Sequence, residues 1–218
     1  MRNKILAAVI LSLASLSART DASADNAAAA ALSPDQVVEQ TAKNIFGTIS
    51  SKRGELEKNP QELYAVVGDN LLPHFDFGRA SQLVLGQYWR TASPEQRKAF
   101  QDAFYKYLVH GYADALLKGN YSDRNIQVEP WHPGSDLTKA YVKTKVLREN
   151  APPVEVDYSL LNEPGGWKAF DVVIEGISYV LNYRNQFGPE IQQQGLDELI
   201  KRLNADADKG TVAQPAKQ

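Results

Sequence analysis

Three sets of side chains in this sequence could do chemistry: the histidines His74, His110 and His132, the carboxylate pair Asp171 and Glu175, and Asp76 between two phenylalanines. The histidines are too dispersed for a local metal motif. There is no H-E-x-x-H, no G-x-S-x-G and no glycine loop to cradle phosphate. The chain has no cysteine, which removes thiol catalysis and thiolate metal sites. His74, beside Pro73, and His132, beside Trp131, read as ordinary loop histidines. Asp171 and Glu175 share one strand face, and four residues of strand separate them by roughly 13 Å, too far for a glycosidase pair. They are expected to pair with Arg184 or to cap the helix that follows. Asp76 is expected to cap a helix starting at Phe77. The pattern predicts no catalytic group, no metal site and no cofactor.

The elements that would position such groups are organised around Trp167 to Phe187. Phe170, Val172 and Ile174 alternate as one face of a strand, with Trp167, Ala169, Asp171 and Val173 on the other. Gly176 breaks that period, and Ile177, Val180, Leu181, Arg184 and Phe187 follow at helical spacing. A strand that turns into an amphipathic helix makes a corner, where pockets form. Upstream, three helix starts are alike in pairing a cap with proline: Ser33-Pro34, Asn59-Pro60 and Ser93-Pro94. The first helix runs to about Ser51, the second to Leu72 before Pro73, and the third to about Lys118. Between the last two, Ala80, Leu83, Val84, Tyr88 and Trp89 read as a short helix. The third helix carries Phe100, Phe104, Leu108, Tyr112 and Leu116 at strict i, i+4 spacing. Alternating stretches at 126–130, 139–146 and 154–160 then precede the Trp167 strand. Gly188-Pro189 is expected to interrupt the helix after Gly176, leaving one or two short helices with Ile191, Leu196, Leu199, Ile200 and Leu203 inward. The fold class is α+β, with helices packed on an antiparallel meander of about four strands.

Residues 1–24 read as a cleaved signal peptide: Arg2 and Lys4, an apolar run from Ile5 to Leu16, and Ala22-Ser23-Ala24 as the cleavage site. Residues 25–33 read as a flexible lead, 34–204 as a single domain and 205–218 as a disordered tail. Without the signal, 24 basic residues become 21 and 26 acidic become 25, a net charge of −4. That balance argues against nucleic acid held by bulk charge. The exported chain is expected to be soluble and monomeric.

What stands out is an aromatic and aliphatic inventory spread over helices and sheet. Periodicity does not distinguish a filled core from a hollow one, and an envelope adaptor with a solid core or a lipid-modifying enzyme fits the same pattern. Longer phrases narrow the choice. Leu72-Pro73, Val84-Leu85-Gly86-Gln87-Tyr88, Pro94 with Gln96-Arg97, Phe170-Asp171 with Glu175-Gly176-Ile177-Ser178, and Gly195 resemble the MlaC family from about Pro34 to Leu203. These are periplasmic phospholipid-binding shuttles, also known as toluene-tolerance proteins. The resemblance implies a twisted sheet under helices, enclosing a deep apolar cavity for acyl tails, with phospholipid as cargo and no enzyme activity. It implies two partners: an outer-membrane lipoprotein–porin complex and an inner-membrane ABC transporter with a ring-forming periplasmic subunit. Facing then suggests a lining of Leu72, Phe77, Leu85, Phe104, Leu108, Tyr112, Val142, Val156, Tyr158, Phe170, Val172, Ile174, Ile177 and Leu181. Ile177, at the corner, is the foremost of these, and Ile177→Glu would be expected to abolish lipid retention.

Overall fold

The computed structural model describes residues 32–119 and 121–212. The expected signal peptide, and all but the end of the expected lead, fall outside the described residues. The helices are α1 (Pro34–Ser51), α2 (Arg53–Leu56), α3 (Pro60–Leu71), α4 (Phe77–Leu85), α5 (Tyr88–Thr91), α6 (Pro94–Lys118), α7 (Tyr179–Gln194) and α8 (Leu196–Asp208). The strands are β1 (Ile126–Val128), β2 (Lys139–Arg148), β3 (Ala151–Glu163), β4 (Gly166–Ile174) and β5 (Ile177–Ser178). They form one antiparallel meander in sequence order. The fold is α+β, with one strand more than the alternation suggests.

The caps work as their residue types require. Ser93 Oγ accepts from the Gln96 N–H and Gln96 Oε1 accepts from the Ser93 N–H, both at 3.1 Å. Each bond satisfies a donor that the helix start would otherwise leave unpaired. Asp76 Oδ1 accepts from the Arg79 N–H at 2.8 Å, so it does cap α4. Asp171 caps as well: Oδ1 accepts from the Val180 N–H at 3.0 Å and Oδ2 from the Ser178 hydroxyl at 2.6 Å. Arg184 goes elsewhere, its Nε donating to the Leu83 carbonyl.

Three local features depart from the periodicity. A β-bulge lies in β4: Ser159 pairs with Asp171 but Leu160 with Ala169, leaving Phe170 without an opposite residue. The extra residue reverses the facing. Trp167 and Ala169 therefore lie on the same side as Val172 and Ile174, and β4 buries one apolar face rather than two. Next, Ile177 belongs to a strand, because Glu175 (φ 51°) and Gly176 (φ 80°) form a two-residue hairpin loop that returns the chain to pair Ile177 with Ile174. Positive φ at both positions is the signature of a type I′ turn. Glu175 is held there by its neighbour strand, its Oε1 accepting from the Glu155 N–H at 2.8 Å. Finally, α7 continues through Pro189. Proline removes one helical hydrogen bond, but Phe187 and Ile191 on either side are both buried, and that burial holds the helix together. The chain breaks only at Gly195, at φ 89°.

The Gly176 turn gives a clean test, because a Cβ built there meets nothing within 4 Å. Only backbone strain opposes Gly176→Ala, about 1 kcal/mol for a non-glycine residue in the left-handed region. Thermal unfolding should move down by about 3 °C for a domain of this size. An unchanged midpoint would mean that the turn relaxes.

The C-terminal tail is also more ordered than its composition suggests. Helix α8 extends past Ala205, and Ala207 is buried. Val212 packs where a side chain at Gly111 would stand, and His110 Nδ1 donates to the Ala207 carbonyl at 3.1 Å. Residues 213–218 lie outside the described residues.

Candidate functional site

The i, i+4 stripe on α6 explains where the interior opens. Steps of four residues advance the helix by about 40° more than a full turn, so such a stripe winds round the axis. Phe100 and Phe104 face a cluster built from α4, α7 and α8, with Tyr183, Phe187, Leu199 and Leu203. Val109, Ala113 and Leu117 face a second cluster, with Ile45, Phe46, Ile49, Leu63 and Val67 of α1 and α3. A third cluster joins Val37 and Val38 of α1 to the sheet through Ala140, Val142, Leu160, Trp167 and Ala169.

Where the three clusters meet they leave a cavity of about 360 Å³. Its wall takes residues from each of them: Ala80, Phe104, Val180 and Tyr183 from the first, Ile45, Phe46, Val67, Val109 and Ala113 from the second, and Val37, Val38, Leu160 and Ala169 from the third. The remaining lining is aliphatic and aromatic apart from Thr41, His74, Asp171 and the hydroxyls of Tyr112, Tyr158 and Tyr179. The Thr41 hydroxyl is buried without a hydrogen-bond partner.

Eight of the fourteen residues singled out from sequence line this cavity: Phe77, Phe104, Leu108, Tyr112, Tyr158, Phe170, Val172 and Ile174. The other six do not. Leu72 is 47% exposed, because α3 tightens into a 3-10 turn over Leu72–His74 and presents Leu71 inward instead. Leu181 is 53% exposed, because α7 begins at Tyr179 and buries Val180, Tyr183 and Phe187. Ile177 sits one hairpin away from the lining residue Ile174, on the edge strand. Leu85 is packed solidly in the first cluster and Val142 in the third. Val156 is buried opposite Thr144 and Ile174, outside the lining. Sequence reasoning missed the wall that α1 and α7 supply: Val37, Val38, Thr41, Ile45, Tyr179, Val180 and Tyr183. Val37, Val38, Thr41 and Ile45 share one face of α1, but nothing in their spacing says that it faces empty space.

The phenols and the imidazole of the wall are held neutral. Burial pushes the Tyr158 phenol up to about 12, with the Asp157 carboxylate adding to it. Tyr112 and Tyr183 are raised further by burial. Burial, and then the positive Lys168, hold the His74 imidazole below its usual range. A wall that resists charge suits an apolar guest. His132 lines a separate open groove of about 600 Å³ on the other sheet face, which the half-buried Phe170 also lines. Among the described residues no cluster of histidines and carboxylates could hold a metal ion, and no helix is long and apolar enough to cross a membrane.

A meander sheet under helices, with an apolar hollow between its core clusters, defines an α+β protein. The chain belongs to the MlaC family, whose pattern (MlaC protein) matches residues 39–205. It is 28% identical over 188 residues to the intermembrane phospholipid transport system binding protein MlaC of Haemophilus influenzae, covering 85% of this chain and 87% of that one. It is 32% identical over 169 residues to the toluene tolerance protein ttg2D of Pseudomonas putida, covering 77% of each. Its fold matches that of a phospholipid-binding protein from Ralstonia solanacearum solved in complex with a phospholipid. That match has a TM-score of 0.73 and 29% identity, over 82% of this chain and 99% of the other.

Proposed function

We propose that this protein is a periplasmic phospholipid carrier that holds acyl tails in the central cavity and passes lipid between envelope membranes. The observation that carries this reading is the apolar hollow at the junction of three core clusters, in a chain whose relatives include a phospholipid-bound structure. Each acyl CH₂ exposed to water costs about 0.8 kcal/mol, so a carrier has to sequester the tails almost completely. Aliphatic and aromatic walls do that without fixing chain length. The head group stays outside and needs no dedicated pocket. The carboxylates that a lipid-modifying enzyme would call on are already used: Asp76 and Asp171 both cap helices.

In this reading the partners are an outer-membrane lipoprotein–porin complex and an inner-membrane ABC transporter with a ring-forming periplasmic subunit. The exchange would maintain outer-membrane lipid asymmetry. The test is native mass spectrometry of protein purified from the periplasm without detergent, with its organic extract analysed in parallel. A stoichiometric phospholipid adduct is expected. A clean lipid-free mass, with no uptake from added vesicles, would return the protein to the adaptor reading.

A further inference from the structure

The cavity holds one polar feature that tail burial does not need. Tyr112, Tyr179 and Tyr183 converge on its wall, with ring centroids 5.8 Å apart for Tyr112–Tyr179 and 6.1 Å for Tyr179–Tyr183. The Tyr112 and Tyr183 hydroxyls lie 3.1 Å apart, and the Tyr179 ring packs against both. The row runs outward. Tyr183 is fully buried against Phe104, Tyr107 and Phe187, whereas Tyr179 is only partly buried, at the start of α7 beside the exposed Glu175-Gly176 turn.

Three hydroxyls bring three hydrogens, and the Tyr112–Tyr183 bond uses one of them. The Tyr179 O–H, outermost in the row, is left to seek an acceptor of its own, and an O–H buried without one is costly. The acceptor should not be an anion. The nearby α7 N-terminus, which would otherwise attract phosphate, is already capped by the Asp171 carboxylate, and that negative charge lines the same cavity.

We propose that the Tyr183–Tyr112–Tyr179 row is an ester-binding subsite: its outward O–H, on Tyr179, donates to an acyl ester carbonyl of the bound phospholipid. The inference rests on the carrier reading and deepens it. It places the glycerol junction of the lipid at the α6–α7 rim, with tails inward and phosphate outward. It also makes the protein selective for ester-linked chains while leaving the head group unread.

The test is competitive loading from vesicles that mix a diacyl phosphatidylcholine equally with its dialkyl-ether counterpart of the same chain length. Ether lipids keep the tails and head group but lack the carbonyl. The wild-type protein should take up the ester in about fivefold excess, the worth of one ordinary hydrogen bond. Tyr179→Phe should bring the ratio close to one, whereas Tyr112→Phe, which leaves the Tyr179 O–H in place, should keep most of the preference, a contrast that mere loosening of the wall would not produce. Equal loading by the wild type, or an ester preference retained in Tyr179→Phe, would overturn the subsite and leave the carrier standing. Uptake of neither lipid by the wild type would overturn the carrier reading and this inference with it.

Discussion

Val172→Glu should leave the protein folded but carrying at most about a tenth of the wild-type phospholipid. Val172 lies on β4 opposite Tyr158 and faces the cavity. It is half-buried, so the lipid-free protein can hydrate a carboxylate there and keep its fold. A tail packed against that wall would have to dehydrate the charge or leave it unpaired, at a cost of several kcal/mol. Every 1.4 kcal/mol is a tenfold loss of affinity, so the effect is large. Lipid per protein after detergent-free purification measures it, with thermal unfolding as the check on folding. Leu181→Glu is the control, because Leu181 is 53% exposed on the outer side of α7. Full lipid load in Val172→Glu, or equal loss in Leu181→Glu, would mean that the guest lies against a different wall.

That contrast marks how far the sequence could be read. The α1, α3 and α6 boundaries and the capping role of Asp76 follow from local chemistry, because a serine, asparagine or aspartate before a helix has few other partners. Four of the five strands of the meander follow equally from alternation. What fails is facing, and it fails where one residue is added or a turn is tightened. The bulge at Phe170 moves Trp167 and Ala169 to the side of Val172, and no residue type announces it. The Glu175-Gly176 hairpin turns Ile177 into a strand residue, although its spacing to Val180, Leu181 and Arg184 is helical. A one-residue error in register is a full reversal in a strand and about 100° in a helix. Ile177 and Leu181 were lost in that way. The cavity itself is a property of three clusters that fail to interdigitate, and no single segment contains that information.

The same buried phenols that keep the wall neutral should make the protein sensitive to alkali. Burial raises Tyr112, Tyr158 and Tyr183 above the ordinary tyrosine value of about 10, Tyr158 to about 12. Below about pH 10 these phenols are protonated in the folded and unfolded chains alike, and their contribution to stability is fully present. Above it the unfolded chain loses protons that the folded chain retains, so stability falls as pH rises towards 12. Each such group contributes a slope of about 1.4 kcal/mol per pH unit, and three acting together give about 4. By pH 12 the loss reaches about 8 kcal/mol, enough to unfold a domain in the lower half of the typical range of about 5–15 kcal/mol. Urea midpoints taken between pH 9 and 11.5 would show the decline, and Tyr158→Phe should make it shallower by about a third. Absorbance of phenolate supplies an independent reading, since Tyr158 should ionise only as the fold opens. Stability that stays level through pH 11, or Tyr158 titrating near 10 in the folded protein, would mean that water reaches the cavity wall freely; a wall that wet could not hold acyl tails.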